Sequence, residues 1–170
     1  MKEKILNILK SDLFFAVAVN FVIMLFCIEV TTFSYDSSKD FYNSLYICNQ
    51  HFYYSSTINY ILSTIIGSVQ YVFDGFNCFV LAQILLSFSA FVSITFVFAD
   101  KYSKRKSAII TFLINILFAL NHYADIQSSK TAALLITAGF LLLLNSINNK
   151  RYNLPCWIGA AEVAFGSFFD

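Results

Sequence analysis

The sequence predicts an all-α, polytopic integral membrane bundle, and three observations carry that prediction. Of 170 residues, 58% are hydrophobic and 12% charged, with a mean hydropathy of +0.68, where a soluble domain carries about 25% charged residues. The apolar residues gather into runs of the length that crosses a hydrocarbon core, about 17–25 residues. The basic residues cluster between these runs in a way that assigns sides of a membrane. A net charge of +1 with no dominant basic face argues against a nucleic-acid partner. Five Gly and one Pro leave little room for a loop-rich architecture.

Each element follows from its own stretch of sequence. The first span covers residues 13–32, behind Lys2, Lys4 and Lys10; it is too long for a signal-peptide core, lacks an A-x-A cleavage site, and is expected to stay as a signal anchor. Further spans are expected at 77–99, 108–123, 131–147 and 154–170. The segment 58–73, "INYILSTIIGSVQYVF", places its apolar residues at the i, i+3, i+4, i+7 spacing of an amphipathic helix, with Asn59, Ser63, Ser68 and Gln70 expected on the other side. Such a helix suits the plane of the interface rather than the bilayer core.

Charge decides whether 58–73 crosses. If it lies flat, five spans place Lys2, Lys4, Lys10, Lys101, Lys104, Arg105, Lys106, Lys150 and Arg151 inside, and only Lys39 and Lys130 outside. If it crosses, every later loop inverts, and Lys2, Lys4, Lys10 and Lys130 alone remain inside. The preference for Lys and Arg on the cytoplasmic side selects the first arrangement. The expected protein is therefore a multi-pass plasma-membrane chain with a cytoplasmic N-terminus and an outer loop, 33–76, holding an interfacial helix.

That arrangement collects Asp36, Lys39, Asp40, His51, Asp74, His122, Asp125, Gln127 and Lys130 on the outer side, with Glu29 near the outer end of the first span. Asp36 and Asp40 are one helical turn apart and flank Lys39, an arrangement that suits a general base for a hydroxyl acceptor, a ligand pair for a divalent metal, or a plain solvated loop. His51 precedes "FYY", which fits either an interface belt of aromatic rings or stacking on sugars. Lys130 is either a phosphate grip or a helix anchor. Cys27, Cys48, Cys78 and Cys156 form no CxxC or CxxH pattern, so no zinc or redox site is expected, although a disulfide between the outer Cys48 and Cys78 stays open. GxGxxG, P-loop, HExxH and GxSxG motifs are absent from the sequence.

One span, a long outer loop with an early Asp and an interfacial helix, then short-looped spans: this layout resembles the N-terminal part of a GT-C superfamily glycosyltransferase. The stretch "KDFYNSLYICNQHFYYSSTINYILSTIIGSVQYVF" looks like a bacterial subgroup whose loop opens with Asp-Asp and continues to "iNyilg" and "lY". The subgroup's second Asp falls on Asp40, while Lys39 stands at the first and Asp36 lies one turn back. "IQSSKTAALLITAGFLLLL" is similar to a "qFtKta…aG" stretch that opens a later span in the subgroup. The resemblance implies transfer of a sugar from a polyprenyl-phosphate-sugar donor to a glycan or glycolipid acceptor at the outer face. It assigns Asp40 as base, Asp36 as helper or metal ligand, Lys130 and Gln127 to the donor phosphate, and Lys39 and His51 to the substrate. It covers nearly all of this chain but about the first third of such an enzyme, so the expectation is an N-terminal portion. The rival expectation is a non-enzymatic membrane component, such as a lipid or polysaccharide translocator subunit or an assembly partner.

Overall fold

The computed structural model describes residues 11–30, 59–73, 75–150 and 154–169, and every regular element among them is helical. Helix α1 is Asp12–Val30, α2 Tyr60–Val72, α3 Cys78–Lys101, α4 Lys104–Ala124, α5 Ser128–Asn148 and α6 Leu154–Gly166. Four of them, α1, α3, α4 and α5, are long and apolar enough to cross a membrane. At about 1.5 Å per residue, the 13 residues of α6 rise less than a bilayer core, so this helix is shorter than the 154–170 span expected from hydropathy. Helices α4 and α5 differ in the other direction. Lys104, Arg105 and Lys106 form the first turn of α4, and Ser128, Ser129 and Lys130 that of α5. Hydropathy trims such charged ends, although the backbone hydrogen-bond ladder continues through them and long side chains lie back along the helix.

Local chemistry sets the helix boundaries. The Ser11 hydroxyl accepts from Phe14 N at 3.2 Å, and Asp12 sits in the first turn of α1, where the helix dipole favours a carboxylate. Asn59 caps α2 by accepting from Ile61 N at 3.0 Å, and Asn77 caps α3 by accepting from Val80 N at 3.1 Å. Gln70 closes the turn between them: its Oε1 accepts from Cys78 N at 2.9 Å and its Nε2 donates to Phe73 O at 3.3 Å. Beyond α5, Lys150 takes a left-handed φ of 51°, which ends the helix.

The long helices alternate in direction. Asn20 of α1 reaches Thr95 of α3, and Phe21 meets Phe88 edge-on, so α1 and α3 run antiparallel. The end of α1 and the start of α3 therefore lie at the same end of the bundle. Asp12 pairs with Lys104 at 3.9 Å, and Asn145 and Asn149 donate to Asp100 Oδ2 at 3.0 and 2.9 Å, which gathers the start of α1, the end of α3, the start of α4 and the end of α5 at the opposite end. That second end also carries Lys101, Lys104, Arg105, Lys106 and Lys150, against Lys130 at the first. It is called the basic end below.

Helix α2 belongs wholly to the non-basic end. Asn59 N donates to Phe168 O at 2.8 Å, just past α6, and Gln70 reaches the start of α3. Its surface divides into three sectors rather than two. Leu62, Ser63, Ile66, Gly67 and Gln70 are buried; Ile61, Ile65, Val69 and Val72 form an exposed apolar strip; Tyr60, Thr64, Ser68 and Tyr71 form the third sector, with Thr64 and Ser68 bonding back to carbonyls of their own helix. Ser63 and Gln70, expected on the outward polar side, thus face inward. Gln70 does so because its amide closes the α2–α3 turn.

Helices α5 and α6 meet along a seam of small residues. A Cβ placed on Gly139 would lie 2.6 Å from Gly159 O, one on Gly159 would lie 2.9 Å from Gly139 O, and one on Gly166 would lie 3.0 Å from Ala132 O. The pairs Gly139/Gly159 and Ala132/Gly166 keep one antiparallel register at a seven-residue repeat. Close backbone approach of this kind replaces the hydrophobic drive that is missing between helices in lipid.

Candidate functional site

The non-basic end carries a polar knot where α4 passes into α5. Asp125 follows α4, its N–H donating to Asn121 O at 3.0 Å. Lys130, in the first turn of α5, points back: its ammonium pairs with Asp125 Oδ2 and donates to Asn121 Oδ1 at 3.1 Å. Both side chains are about a quarter exposed, at 28% for Lys130 and 22% for Asp125. Gln127 occupies the cap position of α5 in extended conformation; its side chain makes no capping bond, and its carbonyl lies 3.2 Å from the Thr131 hydroxyl. Thr131 also lies 3.1 Å from Gln83 Oε1, tying α5 to α3.

Beneath the knot an apolar cavity of about 420 Å³ runs between α3, α4 and α5. Phe91, His122 and Lys130 bound it at the non-basic end; Phe98, Ile114 and Leu141 bound it toward the basic end. The His122 ring stands edge-on to Phe91 at 5.8 Å, and its Nε2 has no hydrogen-bond partner among the described residues. An ammonium and an imidazole at the head of a hydrocarbon-walled cleft can receive an amphiphile, with its chain in the cleft and its anionic group at Lys130. The anion meets competition there, because Asp125 already neutralises Lys130.

Of the residues singled out from sequence, the structure brings together Lys130, Asp125 and His122, with Gln127 beside them at the start of α5. Glu29 is exposed on the last turn of α1. Asp36, Lys39, Asp40, His51 and Asp74, together with Cys48, lie outside the described residues. Cys27 and Cys78 are buried, and neither is in a disulfide among the described residues. Among the described residues no three His, Cys, Asp or Glu side chains converge as a metal site would require.

Two polar clusters in the bundle interior were not assembled from the sequence, where Glu162 stood in the last span without an assigned role. Asn20 Nδ2 donates to Thr95 Oγ1 at 2.8 Å and to Ala16 O at 2.9 Å, and Asn115 Nδ2 donates to Asn20 Oδ1 at 3.3 Å, stapling α1, α3 and α4. Asn115 opens a π-helical turn, Asn115–Ala119, and also donates to Thr111 O at 2.8 Å, so that carbonyl is shared between the ladder and a side chain. The second cluster is Glu162 of α6, 4% exposed, whose Oε1 accepts from Ser93 Oγ at 2.7 Å and Ser89 Oγ at 3.3 Å. A polar residue within an apolar run is the signal that could have found both. Compared with models of protein families, with curated proteins and with solved structures, the chain matches none.

Proposed function

We propose that this chain is the membrane-embedded, N-terminal portion of a glycosyltransferase that takes its sugar from a polyprenyl-phosphate donor at the outer face of the plasma membrane. In this reading α1, α3, α4 and α5 cross with a cytoplasmic N-terminus and basic end, the shorter α6 makes a fifth pass against α5, and α2 lies in the outer interface. The three sectors of α2 support that: one rests on the bundle, one meets lipid from the side, and the Tyr60/Thr64/Ser68/Tyr71 sector meets water. Asp40 acts as base on the acceptor hydroxyl, assisted by Asp36, with Lys39 and His51 on the substrate; a divalent metal on the two aspartates would add charge stabilisation. The described residues on either side of that segment, the end of α1 and Asn59, both lie at the same end as Lys130.

The observation that carries the reading is the cavity of about 420 Å³ with Lys130 and His122 at its head. A polyprenyl phosphate is a hydrocarbon chain ending in an anion, and the leaving phosphate gains most from a fixed cation because negative charge builds on it in the transition state. The test is binding of a short polyprenyl phosphate and of the corresponding alcohol to purified protein in micelles. The phosphate is expected to bind at least tenfold more tightly, with the preference lost in Lys130→Gln. Equal binding of phosphate and alcohol would refute the donor-site assignment.

The rival reading, a non-enzymatic translocator subunit or assembly partner, draws on one observation: Lys130 is already satisfied by Asp125 and Asn121, as a purely structural lysine would be. It predicts that Lys130→Gln costs stability and leaves ligand preference untouched.

A further inference from the structure

Glu162 lies deep in the bundle, on the face of α6 turned to α3, while Gly159 and Gly166 of the same helix face α5. Glu162 is 4% exposed; Ser93 donates to Oε1 at 2.7 Å, while Ser89, one turn away on α3, lies 3.3 Å from Oε1 and 3.0 Å from Leu86 O and has one proton for the two. Oε2 has no hydrogen-bond partner among the described residues. Beside the carboxyl is a cavity of about 240 Å³, walled by Leu13, Phe88, Val92, Phe96, Leu142 and Ile158 from α1, α3, α5 and α6. Among the described residues no other charged or titratable side chain lines this cavity, so none of them offsets the carboxylate. An isolated carboxylate in such surroundings is strongly disfavoured, and hydroxyl donation to one of its oxygens does not neutralise it.

We propose that Glu162, Ser89 and Ser93 form a binding site for one monovalent cation inside the bundle. A single carboxylate matches a single positive charge. A divalent ion would keep an uncompensated charge in the same apolar wall, since no second acidic side chain faces it. The vacant Oε2 supplies the contact, Ser89 and Ser93 add oxygen ligands once their hydroxyls rotate, and the cavity gives the ion room. The site is independent of the sugar-transfer reading: it is on the opposite side of α3 from the Lys130 cavity and uses none of its residues. Sodium and the proton share the required charge, and the experiment separates them.

The test is thermal unfolding of the full chain in neutral micelles. Sodium is titrated against choline at fixed pH, and pH is varied from 5 to 9 in choline alone, for wild type, Glu162→Gln and Ser93→Ala. A tenfold change in a ligand that binds only the folded state is worth about 1.4 kcal/mol near saturation, or about 3–5 °C for a chain of this length. The wild type is expected to shift by that amount in one titration, and Glu162→Gln, whose amide is neutral, to lose the shift. Ser93→Ala keeps the carboxylate and is expected to move the titration midpoint at least threefold toward higher ligand concentration. A sodium response absent from Glu162→Gln assigns sodium; a pH response alone, absent from Glu162→Gln, assigns the proton. The same response in wild type and Glu162→Gln, or none in the wild type, overturns the proposal.

Discussion

Replacing Gly139 with Ala adds one methyl group to the chain, and the α5–α6 seam makes its cost calculable. The new Cβ would lie 2.6 Å from Gly159 O and 2.8 Å from Val163 Cγ2. A carbon approaches a carbonyl oxygen to about 3.3 Å, so the two helices must separate by roughly 0.7 Å at that point. Gly159 O belongs to backbone inside α6 and cannot swing away as a side-chain tip can. Separation then loosens the Ala132/Gly166 contact one heptad along, so the seam yields as a unit. Overpacking of this kind costs about 1–3 kcal/mol, or a fall of about 2–12 °C in Tm. The chain's single tryptophan, Trp157, sits exposed on α6, so its emission follows the undocking of that helix during a thermal scan in micelles. Gly159→Ala is expected to cost a similar amount, and the double variant less than the sum, because one separation relieves both clashes. Gly75→Ala is the control: its Cβ would meet nothing within 4 Å, and Tm should hold. A Gly139→Ala protein that melts within about 1 °C of wild type, well below the range expected for overpacking, would refute the close-packed seam.

Three further outcomes follow from other parts of the molecule. Thr95→Val removes the acceptor for Asn20 at 2.8 Å; interhelical bonds in lipid average about 0.6 kcal/mol and reach about 1.7, so Tm should drop by a few degrees, and Asn115→Ala should give less than an additive further loss. Asp125→Asn frees Lys130 from its partner, and polyprenyl phosphate should then bind several-fold more tightly while the alcohol is unaffected; weaker phosphate binding would mean that Asp125 positions the lysine rather than competing for it. Asp40→Asn in the full-length gene should abolish glycan modification in cells while protein level in the membrane stays constant, and normal modification would remove Asp40 as the base.

How much of this was legible in the sequence depends on which physical signal each feature leaves. The apolar runs mark where the long helices are, because a helix able to cross a membrane needs apolar side chains over the whole crossing length. Their ends were less legible, since Lys104, Arg105, Lys106 and Lys130 are charged yet helical. The length of α6 was overstated, because "LPCWIGAAEVAFGSFFD" is mostly apolar while the helix stops at Gly166. The register of Gly139 on Gly159 left only scattered glycines in the sequence, and close approach is a property of pairs of helices. Periodicity put Ser63 and Gln70 on the wrong side of α2 because it counts polarity and cannot see that Gln70 has a buried amide to satisfy. At the site, Lys130 stood out as the odd cation of the outer side, but its neutralisation by Asp125 needed the turn between α4 and α5. Glu162 was visible as a carboxylate in an apolar run; its two serine donors, 69 and 73 residues away, were not.

The central claim is the proposed arrangement itself: α2 and Lys130 outside and the basic end inside. It is tested most directly by a membrane-impermeant maleimide applied to intact cells expressing a chain without its native cysteines and carrying one new cysteine, Ser68→Cys on the exposed sector of α2 or Ser103→Cys between α3 and α4. The account predicts labelling of Ser68→Cys in intact cells and of Ser103→Cys only after permeabilisation. Labelling of Ser103→Cys from outside would contradict it.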